Sequence, residues 1–189
     1  MIYDVIIEIL SGYFIGSIPF GLIFAKMSGL GDIRKIGSGN IGATNALRAG
    51  GIKLALPVAL CDVLKATIAF RLFGVWGGFA AVIGHTYPIW LGFMGGKGIA
   101  ATFGFMLGLS PQAFLLCGAV WLIVAFGFGY SSLAALSMLT VMPFFGFYFY
   151  PDSFWFCIAL TFLGFWRHKE NIKRLISGTE SKISFRKNK

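Results

Sequence analysis

The chain has 189 residues, 57% of them hydrophobic and 12% charged, with a formal net charge of +9. Its mean hydropathy is +0.81, and a soluble domain carries about 25% charged residues, so a water-soluble globular fold is excluded. No DNA- or RNA-binding motif accompanies the positive charge, and the positive-inside rule and anionic lipid headgroups account for it first.

The apolar residues come in long runs without the polar face of a surface helix. Alternating strands of about 10 residues, the mark of a membrane β-barrel, are missing. The class is therefore an all-α integral membrane protein. Seven apolar segments follow in chain order: 5–26, 52–72, 76–93, 98–110, 112–128, 131–149 and 153–166. Several are shorter than the ~20 residues that cross a bilayer comfortably, and they are read as short or partly re-entrant spans. Segment 98–110 is the weakest. The breaks are rich in Gly or Pro: Gly77-Gly78, Gly95-Gly96, Ser110-Pro111, Gly127-Phe128-Gly129 and Tyr150-Pro151-Asp152.

Asp4 and Glu8, not basic residues, sit at the first run, and no small-residue cleavage site follows it. The N-terminus is read as a retained span rather than a signal peptide. Seven spans put the termini on opposite sides. Lys26, Arg34, Lys35, Arg48, Lys53, Lys97 and the tail residues Arg167, Lys169, Lys173, Arg174, Lys182, Arg186, Lys187 and Lys189 then share one face. Those are fourteen of the sixteen basic residues, with Lys65 and Arg71 left over. The face is predicted to be cytoplasmic, with the N-terminus outside. Three polar segments, 34–48, 84–102 and 167–182, converge on it. No internal repeat is visible, and 1–189 is taken as one transmembrane domain.

The first polar segment contains GSGNIG at 37–42, which satisfies the dinucleotide pattern G-x-G-x-x-G, with Asp62 twenty residues past Gly42. The strand and βαβ unit that the fingerprint needs are not there. The underlying physics still applies. Glycines permit positive φ and close approach, and successive N–H groups can cup an anion. A helix starting near Thr44 or Asn45 would add its positive end. Ser38, Asn40, Thr44 and Asn45 offer side-chain bonds, and Arg48 a planar fork for phosphate. A polar turn with helix-capping residues is the plainer alternative.

The second segment carries Lys97 between Gly95, Gly96 and Gly98. A Walker A loop would need Gly at Leu91 and Ser or Thr at Gly98. The lysine can still bring a point charge to a phosphate, or simply snorkel to the interface. His85 is a candidate because it falls inside an apolar segment, with a helix–helix hydrogen bond as the equal alternative. Asp62 and Lys65, at i and i+3 within segment two, read as a paired structural charge, with a role in the site as the alternative. In the third segment His168 begins HKENIKRLISGTE, and a solvated charged face or a partner for a helix dipole is the plain alternative. The His-x-x-x-x-Asp pattern of many glycerolipid acyltransferases is absent: Trp90 and Lys173 stand at the acid positions. Cys61, Cys117 and Cys157 read as packing thiols, and no metal-ligand spacing links them.

Taken together, GSGNIGATNALR (37–48), GHTYPIWLGFMGGKGIAAT (84–102) and HKENIKRLISGTE (168–180) resemble the three blocks of the PlsY family, bacterial acyl-phosphate:glycerol-3-phosphate acyltransferases. The resemblance covers nearly the whole chain. It implies transfer of an acyl group from acyl-phosphate to the 1-hydroxyl of sn-glycerol-3-phosphate, giving lysophosphatidic acid and phosphate at the bacterial inner membrane. It further implies membrane lipids as surroundings and an upstream acyl-phosphate synthase as a pathway neighbour. Ser38, Asn45, His168 and Asn171 are expected in catalysis. Gly37, Ser38, Gly39, Asn40, Gly42, Thr44, Asn45, Arg48, His85, Gly95, Gly96, Lys97, Gly98, Thr102 and Arg174 are expected around substrate. No cofactor and no metal is expected. A small organophosphate transporter is the alternative, since interrupted spans and an anion cradle suit it too.

Overall fold

The computed structural model describes residues 2–183. Arg186, Lys187 and Lys189 of the basic tail lie outside them. The chain divides into two compact units, one built on Met1–Phe105 and the other on Met106–Ile183. Every described regular element is helical.

In the first unit, α1 (Ile2–Gly16) and α2 (Phe20–Met27) share the first apolar segment. They are separated at residues 17–19, where Pro19 removes a backbone donor. A loop with one short 3-10 turn, Ile33–Lys35, leads to α3 (Ala43–Gly50). Next comes α4 (Ile52–Thr86), which breaks at Phe73 (φ −131°) and Gly74 (φ 62°, ψ −164°). The break is a reversal. His85 lies 20 residues beyond Lys65, yet its Nδ1 is 2.9 Å from Lys65 Nζ; a straight helix would separate them by about 30 Å. Segments two and three are therefore the arms of a helical hairpin. Gly74 supplies the positive φ that the reversal requires.

The predicted break at Gly77-Gly78 lies instead inside the second arm, where the glycines serve packing. A Cβ at Gly12 or Gly16 of α1 would fall on the backbone carbonyl of Gly77 or Ala81, and one at Gly78 would strike the Phe70 ring. These absent side chains let α1 run against the second arm in near backbone contact, as helices in lipid do. Segment three, read as apolar through 93, keeps its helix only to Thr86. Pro88 then follows, and Tyr87–Met94 form turns and a short 3-10 helix, Ile89–Leu91. A proline disfavours helical backbone in the residue before it, which explains the early stop. The chain re-enters a helix at α5 (Ile99–Leu109), inside which the unit boundary falls.

The second unit continues with α6 (Pro111–Phe128). Ser110 Oγ caps it by accepting from Ala113 N–H at 3.3 Å, with Pro111 in the first turn. Gly129, in left-handed conformation, ends it. Antiparallel to it stands α7 (Ser131–Phe149), and α8 (Phe154–Arg167) folds back on α7. The pairing shows in Thr161 Oγ1, which donates to the Leu139 carbonyl at 2.9 Å, and in Gly146, where a Cβ would meet Cys157 Sγ at 2.6 Å. The short α9 (Lys169–Ile176) follows at once.

Among the described residues, four stretches are long and apolar enough to cross a membrane: Ile2–Met27, Ile52–Leu91, Pro111–Phe128 and Ser131–Phe149. Large apolar side chains cover their outer faces, among them Ile6, Leu10, Leu60, Leu64, Ile123, Phe126 and Phe144. Such a surface suits lipid rather than water.

Candidate active site

In the first unit the loop before α3 is organised by one side chain. Asn45, in the first turn of α3, is 1% exposed. Its Nδ2 donates to the carbonyls of Ile33 at 2.9 Å and Asn40 at 2.7 Å. Its Oδ1 accepts from Ser38 N–H at 2.8 Å and Ser38 Oγ–H at 3.2 Å. Both donors and the acceptor oxygen are thereby used within the loop. Asn45, expected in catalysis and around substrate, shapes the segment that presents Ser38. Gly37 (φ 60°) and Gly39 (φ 71°) adopt the left-handed backbone that lets the loop turn under it. A Cβ at Gly37 would lie 3.4 Å from Arg48 Cδ, so the Arg48 stem runs beside that glycine.

The expected cup of backbone N–H groups is largely spent internally. Ser38 N–H bonds Asn45, Gly39 N–H bonds the Ile36 carbonyl at 3.1 Å, and Gly42 N–H bonds Asn40 Oδ1 at 2.8 Å. The turn at Asn40 is an Asx-type turn that leads into the helix. Thr44 follows, half-buried in the first turn of α3. Arg34 is committed elsewhere, with Nη2 2.6 Å from Asp32 Oδ2. The hydrogen bonds and charge of Arg34 hold the Asp32 carboxyl down at about 2. The loop rests on an apolar cluster of Ala25, Ile33, Ala46, Leu54, Ala55 and Val58.

The glycine loop around Lys97 folds back on the end of α4. Gly95 N–H donates to the Thr86 carbonyl at 3.1 Å and Gly96 N–H to the His85 carbonyl at 3.0 Å. Gly98 (φ 85°) accepts from Thr102 N–H at 2.7 Å. Lys97 itself is half-buried. His85, expected against substrate, is 4% exposed, and its Nδ1 is turned to Lys65 at 2.9 Å. Asp62 and Lys65 do form the i,i+3 pair, Nζ to Oδ1 at 2.7 Å. Thr102 is 3% exposed, buried within α5.

In the second unit His168 stands at the junction of α8 and α9, 3% exposed. Its Nδ1 is 2.7 Å from the Gly164 carbonyl. A carbonyl only accepts, so Nδ1 carries the proton and the neutral ring keeps its basic lone pair on Nε2. Asn171 and Arg174, one helical turn apart on α9, both reach Glu180: Nδ2 to Oε1 at 2.6 Å and Nε to Oε2 at 2.7 Å. Ser132 at the start of α7 donates to the same Oε1 at 2.7 Å. Burial pushes the Glu180 carboxyl up. The bonds from Ser132, Asn171 and Arg174, with the Arg174 charge, outweigh this and hold it below the ordinary carboxylate range. Ser132 carries no sign in the sequence that it belongs to the site, and Glu180 reads there only as part of the charged run with Asn171 and Arg174. Glu180 sits inside the third block, but nothing in the sequence pairs it with Ser132, 48 residues away. Among the described residues no group of three His, Cys, Asp or Glu side chains could hold a metal ion.

Residues 6–178 match the family model described as glycerol-3-phosphate acyltransferase. A protein of that name from Mesorhizobium japonicum is 46% identical over 97% of this chain and 98% of its own length. One from Allorhizobium ampelinum is 51% identical over 91% and 88%. Two crystal structures of PlsY (YgiH), an integral membrane glycerol 3-phosphate acyltransferase, share the fold at 36% identity. The glycerol 3-phosphate form has a TM-score of 0.88 over 95% of this chain and 96% of that one, and the lysophosphatidic acid form 0.86 over 96% of each. With those matches spanning nearly its full length, the chain belongs to the PlsY family of glycerol-3-phosphate acyltransferases and is a multi-pass membrane protein.

Proposed function

We propose that this protein transfers a fatty acyl group from acyl-phosphate directly to the 1-hydroxyl of sn-glycerol-3-phosphate, releasing phosphate and lysophosphatidic acid. The observation that carries this is the likeness to PlsY crystal structures named for their glycerol 3-phosphate and lysophosphatidic acid forms. Acyl-phosphate as donor follows from the resemblance of the three blocks.

The chemistry is undemanding in one respect. An acyl-phosphate is a mixed anhydride with a good leaving group, so positioning and charge stabilisation matter more than a covalent nucleophile. The glycerol oxygen bonds the carbonyl carbon, the bond from that carbon to the phosphate oxygen breaks, and phosphate leaves. We assign Arg48, Lys97 and the Ser38 hydroxyl to the two substrate phosphates. His168 receives the hydroxyl proton at Nε2, the nitrogen that the Gly164 carbonyl leaves basic. The glycerol-3-phosphate dianion is the other candidate base. Asn45 is assigned to holding the loop that carries Ser38, and Asn171 and Arg174 to holding the third block through Glu180. Cys117 and Cys157 are buried in apolar helices, which suits transfer without an acyl-enzyme.

We further propose seven crossings within one functional domain, with the N-terminus outside and the three blocks on the cytoplasmic face of the inner membrane. The hairpin in Ile52–Thr86 and the alternating direction of α6, α7 and α8 support that count. The test is a purified-protein assay with palmitoyl phosphate, or palmitoyl-CoA, and labelled glycerol-3-phosphate. Lysophosphatidic acid formed only with the acyl-phosphate is the expected result. Product from the CoA ester would overturn the donor assignment, and uptake into proteoliposomes without product would favour a transporter.

A further inference from the structure

The first unit contains a buried charge cluster that the proposed chemistry does not use. Asp62, Lys65 and His85 are 1%, 4% and 4% exposed. The Lys65 ammonium faces three acceptors: Asp62 Oδ1 at 2.7 Å, His85 Nδ1 at 2.9 Å and the Ile18 carbonyl at 2.9 Å. Its three protons are thus matched by three partners, with the His85 lone pair at Nδ1. Ile18 lies in the break between α1 and α2. The cluster therefore ties that break to both arms of the α4 hairpin.

On its other side the histidine meets the glycine loop. A Cβ at Gly96 would land on His85 Nε2, so the loop lies directly over the ring. The His85 carbonyl accepts Gly96 N–H, and the next carbonyl, Thr86, accepts Gly95 N–H. On the far side of Lys97, a Cβ at Gly98 would sit 3.0 Å from Thr86 Oγ1. Lys97 is thus carried by a strip held down onto residues 85 and 86.

Two physical points make this more than packing. A segment with glycine on both sides of its lysine has little stiffness of its own, so its shape must be imposed from outside. Buried ion pairs are also poor stabilisers, because desolvation offsets most of the attraction. Here Asp62 Oδ2 gains no hydrogen bond, and Oδ1 meets the Lys65 ammonium at 2.7 Å. Stability alone is a weak reason for these charges, whereas fixing the His85 ring is a use that an apolar cluster of equal volume would not serve.

We propose that Asp62, Lys65 and His85 form a positioning triad that fixes the Gly95–Gly98 loop and thereby places the Lys97 ammonium for acyl transfer. The proposal rests on the acyltransferase function above. None of the three touches substrate in this account.

The test uses the full-length protein in detergent, as wild type, D62N/K65M, H85Q, K97A and the combination of H85Q with K97A. D62N/K65M removes both charges together and so avoids stranding one. Hydrogen exchange of the 95–98 segment is expected to rise in D62N/K65M and H85Q while the thermal midpoint stays near wild type. Their kcat/KM is expected to fall about tenfold to a hundredfold, the scale on which small misplacement of a reacting group costs rate. The loss should fall on the same substrate's KM as in K97A, and H85Q should cost little further in K97A, because both act through one group. If D62N/K65M does not fold, H85Q carries the test. Wild-type exchange and wild-type kcat/KM in a folded variant overturn the triad, as do losses that add fully to K97A. Absence of acyl transfer in the wild type overturns the acyltransferase function instead, and the exchange measurement then still decides whether the triad holds the loop.

Discussion

Replacing Asn45 by Ala removes the side chain that closes the 33–42 loop. Four hydrogen bonds disappear: two from Nδ2 to the Ile33 and Asn40 carbonyls and two to Oδ1 from Ser38. Each is worth about 0.5–1.5 kcal/mol net. Ser38 is exposed and its N–H rehydrates, whereas the bond to Ile33 is buried. The loop conformation should therefore lose about 2–4 kcal/mol. At about 1.4 kcal/mol per factor of ten, a loss of about 2 kcal/mol corresponds to about thirtyfold in kcat/KM. Asn45→Asp is the informative companion. It keeps the acceptor for Ser38 but sets a carboxylate against two carbonyls, so it should be no better than Ala. The assay is steady-state acyl transfer with varied glycerol-3-phosphate, together with hydrogen exchange of residues 33–42. Wild-type KM and kcat in Asn45→Ala, with unchanged exchange, would refute the loop-organising role. Full activity in Asn45→Asp with loss in Ala would also refute it, because only the Ser38 bonds would then matter.

Three further outcomes follow from particular residues. Glu180 has a lowered folded pKa, so its stabilising contribution is complete above the ordinary value of 4.5 and fades as pH falls through the lower folded value; Glu180→Gln should flatten the acid side of a thermal-midpoint profile, and an unchanged profile would show that its bonds to Ser132, Asn171 and Arg174 do not hold the third block. Gly16→Leu drives a side chain into the Ala81 backbone and should cost about 1–3 kcal/mol or more in detergent unfolding, whereas Gly118→Ala, with open space around it, should stay within about 0.5 kcal/mol. His168→Gln and His168→Ala should abolish transfer while the protein still binds glycerol-3-phosphate; most of the activity surviving would transfer the proton to the substrate phosphate.

Much of this architecture is legible in the sequence, because long apolar runs have few ways to satisfy their backbone except as helices. Each of the seven predicted segments is helical over most of its length. The Asp62–Lys65 pair was also legible, since i,i+3 spacing places the two on one helix face. The reversal at Phe73–Gly74 was not. A lone Gly74 beside Gly77-Gly78 gives no local sign of which glycine bends the chain and which lets a helix approach. That choice is made by α1, which needs Gly77 and Ala81 against Gly12 and Gly16. For the candidate site, the motif residues were visible but not what they do. Asn45 looked like a hydrogen-bond donor for substrate, and only the fold reveals that the 33–42 backbone absorbs its amide. His85 likewise takes Lys65 as its partner, and Lys65 in turn meets Asp62 and the Ile18 carbonyl, residues that no local pattern connects to the glycine loop.

The central claim is direct acyl transfer from acyl-phosphate, without a covalent enzyme intermediate. Rapid-quench measurement of phosphate release from palmitoyl phosphate tests it, with the purified protein mixed first without glycerol-3-phosphate and then with it. The account predicts no stoichiometric burst without acceptor, and one lysophosphatidic acid per phosphate released once acceptor is present. A burst of one phosphate per protein without acceptor, with a palmitoyl mass added to the chain, would contradict it.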